Sequence, residues 1–234
     1  MEPFMRERFG NPGSIHKEGV YAKEAVAEAR NKIASLLYAH PDEIIFTSGG
    51  TEANNLGILG VARCVQEQIK TLKKMHIITS IIEHASVLDV FRELGKNGVS
   101  VSYIPVDENG IIKVDELKKE LRPETVLVSI MYANNEIGTI QPISEIAKTI
   151  RNFRNRQNVK RQMLNVKCPV FHTDASQAPP YLDINVQKMG VDLMTLDAQK
   201  IYGPKSVGLL YKRRGVMLKP LFFGGRQEFT LRPG

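Results

Sequence analysis

Short apolar runs alternate along this chain with segments of helical periodicity, and this alternation constrains the fold more than any other feature. The strand-like runs cover 43–46, 75–79, 99–103, 125–131, 169–172 and 191–196. The helical patterns cover 21–38, 52–72, 86–94, 114–121 and 143–153. Such alternation is typical of an α/β domain in which helices flank a mostly parallel sheet. We predict this fold, as a single domain over 1–234.

In two of these segments the residue pattern also predicts burial. In the first helical pattern, apolar residues recur at steps of three and four, at Val26, Ala29, Ile33 and Leu36. We therefore expect a helix with one buried stripe. The run TVLVSIM at 125–131 is apolar and β-branched, which predicts a central strand.

Composition excludes several classes of protein. With 234 residues, 42% hydrophobic and 24% charged, the chain is long enough for a full core and typical of a globular protein. No apolar run approaches the roughly 18 residues of a membrane span, and the start MEPFMRERFG lacks the apolar core of a signal peptide. Two cysteines, Cys64 and Cys168, are too few for a disulfide framework. We predict a cytoplasmic protein without a membrane segment.

The net charge of +7 comes mainly from one acid-free segment. Its six basic residues are Arg151, Arg154, Arg156, Lys160, Arg161 and Lys167. Because Phe153 is its only aromatic residue, a solvated basic loop is favoured over a nucleic-acid-binding patch. A docking surface for an acidic protein remains an alternative. We predict no nucleic-acid partner.

Two loops after strand-like runs carry residues suited to ligand binding. Gly50 and Thr51 lie in the turn TSGGTE between a strand and a helix, where backbone N–H groups and the helix dipole favour phosphate. The same residues are also common helix caps. Lys200 follows the apolar run VDLMTL, at the edge of a sheet where a lysine can become a Schiff-base nucleophile. A solvated loop lysine is the alternative.

Three more polar residues follow strand-like runs, and each has a simpler structural interpretation. His84 follows the run at 75–79 and is consistent with a satisfied polar residue as well as a catalyst. The pair Asn134–Asn135 is typical of a turn. Asp174 can cap the segment that follows it. Residue types alone leave these alternatives open.

Seven stretches, in order, resemble a known family. They are GNPGSIHKEG, IIFTSGGTEANN, IITSIIEHASV, SIMYANNEIGTIQPI, VFHTDASQA, KIYGPKSVG and GGRQEFTLRPG. Together they resemble the cysteine desulfurases, the NifS-like pyridoxal-phosphate enzymes of the class V aminotransferases, which have fold type I. The resemblance implies the α/β large domain of that fold.

The resemblance also implies roles for individual residues. Lys200 would bind pyridoxal 5'-phosphate covalently and act as catalytic base, and His84 would stack on the ring and assist proton transfer. Asp174 would pair with the protonated ring nitrogen, which keeps the ring an electron sink. The full implied cofactor set is Gly50, Thr51, His84, Asn135, Asp174, Gln177, Asp197, Gln199 and Lys200, of which Gly50 and Thr51 hold the phosphate and Asn135 and Gln177 the phenolic oxygen. No metal ligands are assigned.

The chain departs from the family pattern beside the lysine. The usual Ser-x-His-Lys, whose serine and histidine contact the phosphate, is here Asp197-Ala198-Gln199-Lys200. An aspartate there would repel a dianion unless it turns away, whereas Gln199 can still donate a hydrogen bond. The family's opening strand, small C-terminal domain and nucleophilic loop cysteine have no counterpart, and neither Cys64 nor Cys168 replaces that cysteine. We therefore expect a truncated large domain.

The implied activity is removal of sulfur from L-cysteine, which gives alanine and an enzyme persulfide for iron–sulfur cluster assembly. The family's members are homodimers that pass sulfur to acceptor or scaffold proteins, so a homodimer is expected here. Two alternatives stay open. One is a selenocysteine lyase, and the other is a catalytically inactive homologue that serves as a dimerisation or scaffold partner.

Overall fold

A single seven-stranded sheet forms the centre of the computed structural model, which describes residues 2–69, 75–157, 168–225 and 227–233. The strands are β1 (Ile44–Thr47), β2 (His76–Ser80), β3 (Ser100–Ile104), β4 (Thr125–Ser129), β5 (Val170–Asp174), β6 (Leu193–Asp197) and β7 (Gly208–Lys212). Their order in the sheet is β1-β7-β6-β5-β4-β2-β3.

Six of the seven strands point the same way. Parallel pairing joins β3, β2, β4, β5 and β6, and β7 lies antiparallel between β6 and β1. The carboxyl ends of six strands therefore share one edge. β7 is absent from the strands predicted from the sequence, although its residues Leu209, Leu210 and Tyr211 are buried.

Helices cover both faces of the sheet. They are α1 (Glu2–Arg6), α2 (Lys17–Leu37), α3 (Gly50–Ile69), α4 (Ala85–Lys96), α5 (Val114–Glu120), α6 (Ile143–Gln157) and α7 (Val186–Met189). One apolar core lies between the sheet and α3 and α4, and the other lies between the sheet and α2, α5, α6 and α7. Since β2, β4, β5 and β6 are buried along their whole length, they carry apolar residues toward both cores. In the part of the chain described, no helix is both long and apolar enough to span a bilayer.

The buried stripe of α2 differs from the predicted one. Ala22, Ala34 and Leu37 are buried, whereas Leu36 is 70% exposed. Arg30 belongs to the inward face, because its guanidinium forms an ion pair with Glu228. The predicted stripe is therefore wrong at Ala29 and Leu36, which are exposed, whereas Ile33 is partly buried and packs against the core.

The basic segment also differs from the solvated loop that was predicted. α6 continues to Gln157, and Arg154 on its last turn is buried. The Arg154 guanidinium pairs with Asp192, just before β6, and its Nε donates to Pro169 O at 2.9 Å. That part of the prediction is therefore wrong. Lys160, Arg161 and Lys167 lie outside the described residues.

Candidate active site

A cavity of about 130 Å³ opens at the carboxyl edge of the sheet. All nine residues predicted to form the site line it: Gly50, Thr51, His84, Asn135, Asp174, Gln177, Asp197, Gln199 and Lys200. Asp174 and Asp197 are the last residues of β5 and β6, and the others lie in the loops or helix starts that follow β1, β2, β4, β5 and β6. Residues up to 150 positions apart in the chain thus meet because parallel strands end at one edge.

The start of α3 forms one wall of the cavity. β1 ends at Thr47, and Gly49 adopts a φ of +149°, a conformation that favours glycine. The helix then begins at Gly50, where a Cβ would lie only 3.2 Å from both Asp197 Oδ2 and Ser176 Oγ. The backbone therefore approaches the cavity at Gly50 because no side chain intervenes.

Asp174 forms the floor of the cavity at the end of β5. It is 8% exposed, and three donors hold its carboxylate. Asn54 Nδ2 donates to Oδ2 at 2.7 Å, while Ser176 N and Ser176 Oγ donate to Oδ1 at 3.0 and 2.6 Å. These contacts hold the buried carboxylate in one orientation as a hydrogen-bond acceptor.

Asn54 and Ser86 also line the cavity, although the sequence did not single them out. Asn54 Nδ2 donates to Ser86 Oγ at 2.8 Å as well as to Asp174. Its Oδ1 is buried and has no hydrogen-bond partner among the described residues. The available signal was spacing, since Asn54 follows Gly50 by one helical turn and so shares its face.

His84 is the N-cap of α4. Its Nδ1 accepts from Ser86 N at 3.1 Å, which assigns the ring proton of the neutral form to Nε2. The ring itself is exposed at the mouth of the cavity. The histidine therefore caps a helix, as the structural interpretation predicts, and it also lines the cavity, while its catalytic role stays a prediction.

The two asparagines after β4 divide their roles. Asn134 Oδ1 accepts from Glu136 N at 2.8 Å and from Ile137 N at 3.0 Å, and its Nδ2 donates to Ile82 O at 3.0 Å. Asn134 thus forms the turn. Asn135 is exposed and lines the cavity.

β6 ends at Asp197. A short 3-10 helix, Ala198–Ile201, follows it and carries Gln199 and Lys200. Asp197 is not turned away from the cavity. Its Oδ2 accepts from Gly50 N at 3.2 Å and from Gln199 Nε2 at 3.1 Å, and its Oδ1 accepts from Gln199 N at 3.2 Å. Lys200 is exposed, and within the described ranges its amine has no hydrogen-bond or ion-pair partner.

Two buried titratable groups, Glu83 and His172, lie near this site but do not line the cavity. Burial raises the pKa of Glu83 to about 8, and nearby Asp174 adds to the rise, while donors Ser80 Oγ and Met131 N oppose it. Burial lowers the pKa of His172 to about 4 against the attraction of Asp174. Both groups are therefore uncharged near neutral pH, and neither was predicted.

The sequence profile described as "Aminotransferase class-V" matches residues 1–232. The chain belongs to the class-V aminotransferase family. Cysteine desulfurase IscS of Dictyoglomus turgidum is 47% identical over 234 residues, which is all of this chain and 55% of that protein. Cysteine desulfurase IscS 1 of Archaeoglobus fulgidus is 42% identical, with 56% of its length covered. The chain thus spans about half the length of the curated relatives it matches.

Solved structures share the fold of this class-V aminotransferase chain. A NifS-like protein superposes with a TM-score of 0.88 at 39% identity, over 100% of this chain and 59% of that one. SspA in complex with cysteine gives a TM-score of 0.86 at 37% identity, over 100% and 62%. The predicted α/β fold with a mostly parallel sheet flanked by helices is confirmed.

Pyridoxal phosphate is the cofactor that membership of the class-V aminotransferases implies. The chemistry of the donor set fits this group. The cavity combines a buried carboxylate at Asp174, an unpaired primary amine at Lys200, and a glycine at the start of α3 where a Cβ would fill the available space. An acid suits a ring nitrogen, an amine suits an aldehyde, and a helix start suits a phosphate.

Proposed function

We propose that this chain is the cofactor-binding part of a pyridoxal-phosphate-dependent cysteine desulfurase. The observation that carries the proposal is that Lys200, Asp174 and Gly50 line one cavity although they lie on three separate strand–loop units. Relatives at 47% and 42% identity are cysteine desulfurases, which supports the same reaction here. The proposed substrate is L-cysteine, with which the similar SspA was solved.

Each residue then has a defined task. Lys200 Nζ would hold the cofactor at its aldehyde carbon, and the same amine would serve as the base for the Cα proton of the substrate. Asp174 would pair with the protonated ring nitrogen, and its three donors hold the carboxylate in place for this. When bound, the cofactor supplies an electron sink for the negative charge that forms at Cα.

The remaining residues bind and orient. The start of α3 at Gly50 and the Thr51 hydroxyl would hold the phosphate, His84 would cover the ring, and Asn135 and Gln177 would hold the phenolic oxygen. Because Nδ1 of His84 is engaged by Ser86 N, Nε2 is the ring nitrogen that would take part in proton transfer. Asp197 and Gln199 also line the cavity beside the start of α3, where Asp197 Oδ2 accepts from Gly50 N.

The released sulfur goes to a thiol, and we propose that this thiol is neither Cys64 nor Cys168. Both of these cysteines are buried in the apolar core and neither lines the cavity. Burial also raises the pKa of the Cys64 thiol, which disfavours the reactive thiolate. Sulfur transfer to an acceptor for iron–sulfur assembly, by a homodimer, is the expected role of the whole protein.

The deciding experiment is an absorbance titration of the purified chain with pyridoxal phosphate, followed by borohydride reduction and peptide mapping. The wild type should show a visible band, and the label should map to Lys200. Lys200→Ala should lose both signals, whereas Lys205→Ala, which removes a lysine from the same loop but not from the cavity, should keep them.

The result that would count against the proposal is equally specific. If the wild type gives no band at high cofactor concentration, or if the label is on another lysine, the cofactor role of Lys200 is wrong. A chain without cofactor would favour the alternative of an inactive dimerisation or scaffold partner. Alanine release from L-cysteine against selenocysteine would then separate a desulfurase from a selenocysteine lyase in a chain that does bind.

A further inference from the structure

Asp197 occupies the anion-binding position at the start of α3. Its Oδ2 accepts from Gly50 N at 3.2 Å, which is a backbone donor that the helix itself leaves free. The carboxylate is 8% exposed, so little water competes for this contact. The chain thus places its own negative charge where a helix start would otherwise receive a ligand's phosphate.

Gln199 holds Asp197 in this position. Its backbone N donates to Oδ1 at 3.2 Å and its side-chain Nε2 donates to Oδ2 at 3.1 Å. With the bond from Gly50, three donors from two segments converge on one carboxylate. The hydrogen bonds to Asp197 therefore come from the start of α3 and from the segment after β6.

The negative charge of Asp197 is not offset by an ion pair. Among the residues that the structure describes, no lysine or arginine nitrogen lies within ion-pair distance of its carboxylate, and the Lys200 amine is exposed. A phosphate at this helix start would meet a like charge in a partly desolvated place, where repulsion is strong. To bind Gly50 N–H, the phosphate must either share this one donor with Asp197 or displace Asp197 from it.

We propose that Asp197 is a specificity-determining residue that competes with the phosphate of the ligand for the start of α3. The site consequently draws most of its affinity from the ring and the aldehyde, and discriminates only weakly between pyridoxal phosphate and pyridoxal, its dephosphorylated form. This inference rests on the proposed function and concerns the same cavity. A neutral hydrogen-bond donor at this position would strengthen phosphate binding, whereas the carboxylate of Asp197 weakens it.

The test is the ratio of two dissociation constants, for pyridoxal and for pyridoxal phosphate, measured by equilibrium dialysis. The proteins are wild type, Asp197→Asn, Asp197→Ser and the control Asp115→Asn, which removes one exposed negative charge from α5. Asparagine keeps the size of the side chain and an oxygen acceptor for Gly50 N while it removes the charge. Serine adds a hydroxyl that can donate to phosphate.

We expect the preference for the phosphorylated form to rise by about tenfold or more in both Asp197 variants, since removal of a close like charge is worth at least this factor. Affinity for pyridoxal should stay within about threefold of wild type, because pyridoxal has no phosphate to meet the charge. Asp115→Asn should leave the ratio unchanged.

The outcomes separate this inference from the proposed function. If all four proteins bind both ligands with the same ratio, Asp197 does not compete, while the cofactor site stands. A wild-type ratio of about a thousand or more also overturns the inference without any variant, because several unopposed charge-assisted hydrogen bonds give such a preference. If no protein binds either ligand, both the inference and the proposed function are wrong.

Discussion

Asn54 donates a 2.7 Å hydrogen bond from Nδ2 to Oδ2 of Asp174, which connects the first turns of α3 to the end of β5. The same amide donates to Ser86 near the start of α4. One side chain thus joins three of the segments that surround the cavity. Since its Oδ1 has no partner in the described part of the chain, the cavity also retains one buried acceptor.

Replacement of Asn54 by alanine should lower the free energy of unfolding by about 1–3 kcal/mol, because the buried carboxylate of Asp174 loses a donor. Urea denaturation measures the change. The matched control is Asn55→Ala at the next position, where the lost bond is a partly exposed one to Thr51 O of the same helix. That variant should lie within about 0.5 kcal/mol of wild type. Equal losses in both variants would contradict the role given to Asn54.

The family resemblance supplied the nine predicted residues, and the shared edge of the parallel strands explains why they line one cavity. Each of the predicted residues follows a recognisable strand, so the topology alone brings Asp174 and Lys200 together. β7 was not among the strands predicted from the sequence. It runs antiparallel after a Gly/Pro-rich turn, outside the strand–helix alternation on which the prediction rested.

Contacts between distant polar residues could not be predicted from the residue pattern. The inward position of Arg30 depends on Glu228, and the burial of Arg154 depends on Asp192. Each pair is 38 or more positions apart, so local periodicity carries no trace of it. Likewise, the orientation of Asp197 depends on Gly50, on another strand–loop unit.

Glu83 predicts a dependence of stability on pH that an ordinary exposed glutamate would not give. Its pKa is raised from 4.5 to about 8, chiefly by burial. Between these values the folded chain keeps the proton and the unfolded chain releases it. Stability from this group is therefore complete below about pH 4.5 and falls as pH rises to about 8, by one proton per molecule.

Glu83→Gln should remove this fall, because glutamine keeps an acceptor for Ser80 and Met131 and does not ionise. Urea denaturation from pH 5 to about 8 should show the unfolding free energy of the variant losing less than that of wild type, by about one proton's slope. Glu24→Gln, at an exposed position of α2, is the control and should keep the wild-type slope. Parallel curves for wild type and Glu83→Gln would refute the prediction.

His172 predicts the opposite slope at lower pH. It is buried between Ser129 Oγ at 2.8 Å and Thr195 Oγ1 at 3.1 Å, and burial lowers its pKa from 6.5 to about 4. Between these values the unfolded chain binds a proton and the folded chain does not, so stability falls as pH falls. In His172→Gln, the fall in unfolding free energy between pH 6 and 4 should be smaller than in wild type by one proton's slope. Urea denaturation measures this fall. His16→Asn, at an exposed cap, should leave the slope unchanged, and an unchanged slope in His172→Gln would contradict the prediction.

The Arg30–Glu228 pair connects α2 to the segment after β7. Arg30 Nη2 lies 2.6 Å from both Glu228 oxygens, and Glu228 Oε2 also accepts from Phe46 N at 3.0 Å. The two side chains are only 14% and 9% exposed. Removal of one partner therefore leaves a largely buried charge without compensation.

Glu228→Gln should lower the unfolding free energy by about 3–5 kcal/mol, because the Arg30 guanidinium stays buried without its counter-ion. Thermal and urea denaturation both measure this loss. Glu28→Gln is the matched control, since Glu28 pairs with Lys32 at 2.6 Å on the same helix but both side chains are exposed. That change should cost less than about 1 kcal/mol. The double variant Arg30→Met/Glu228→Gln should recover part of the loss, because it removes the uncompensated cation, and a double variant less stable than Glu228→Gln alone would show that the cost does not come from charge.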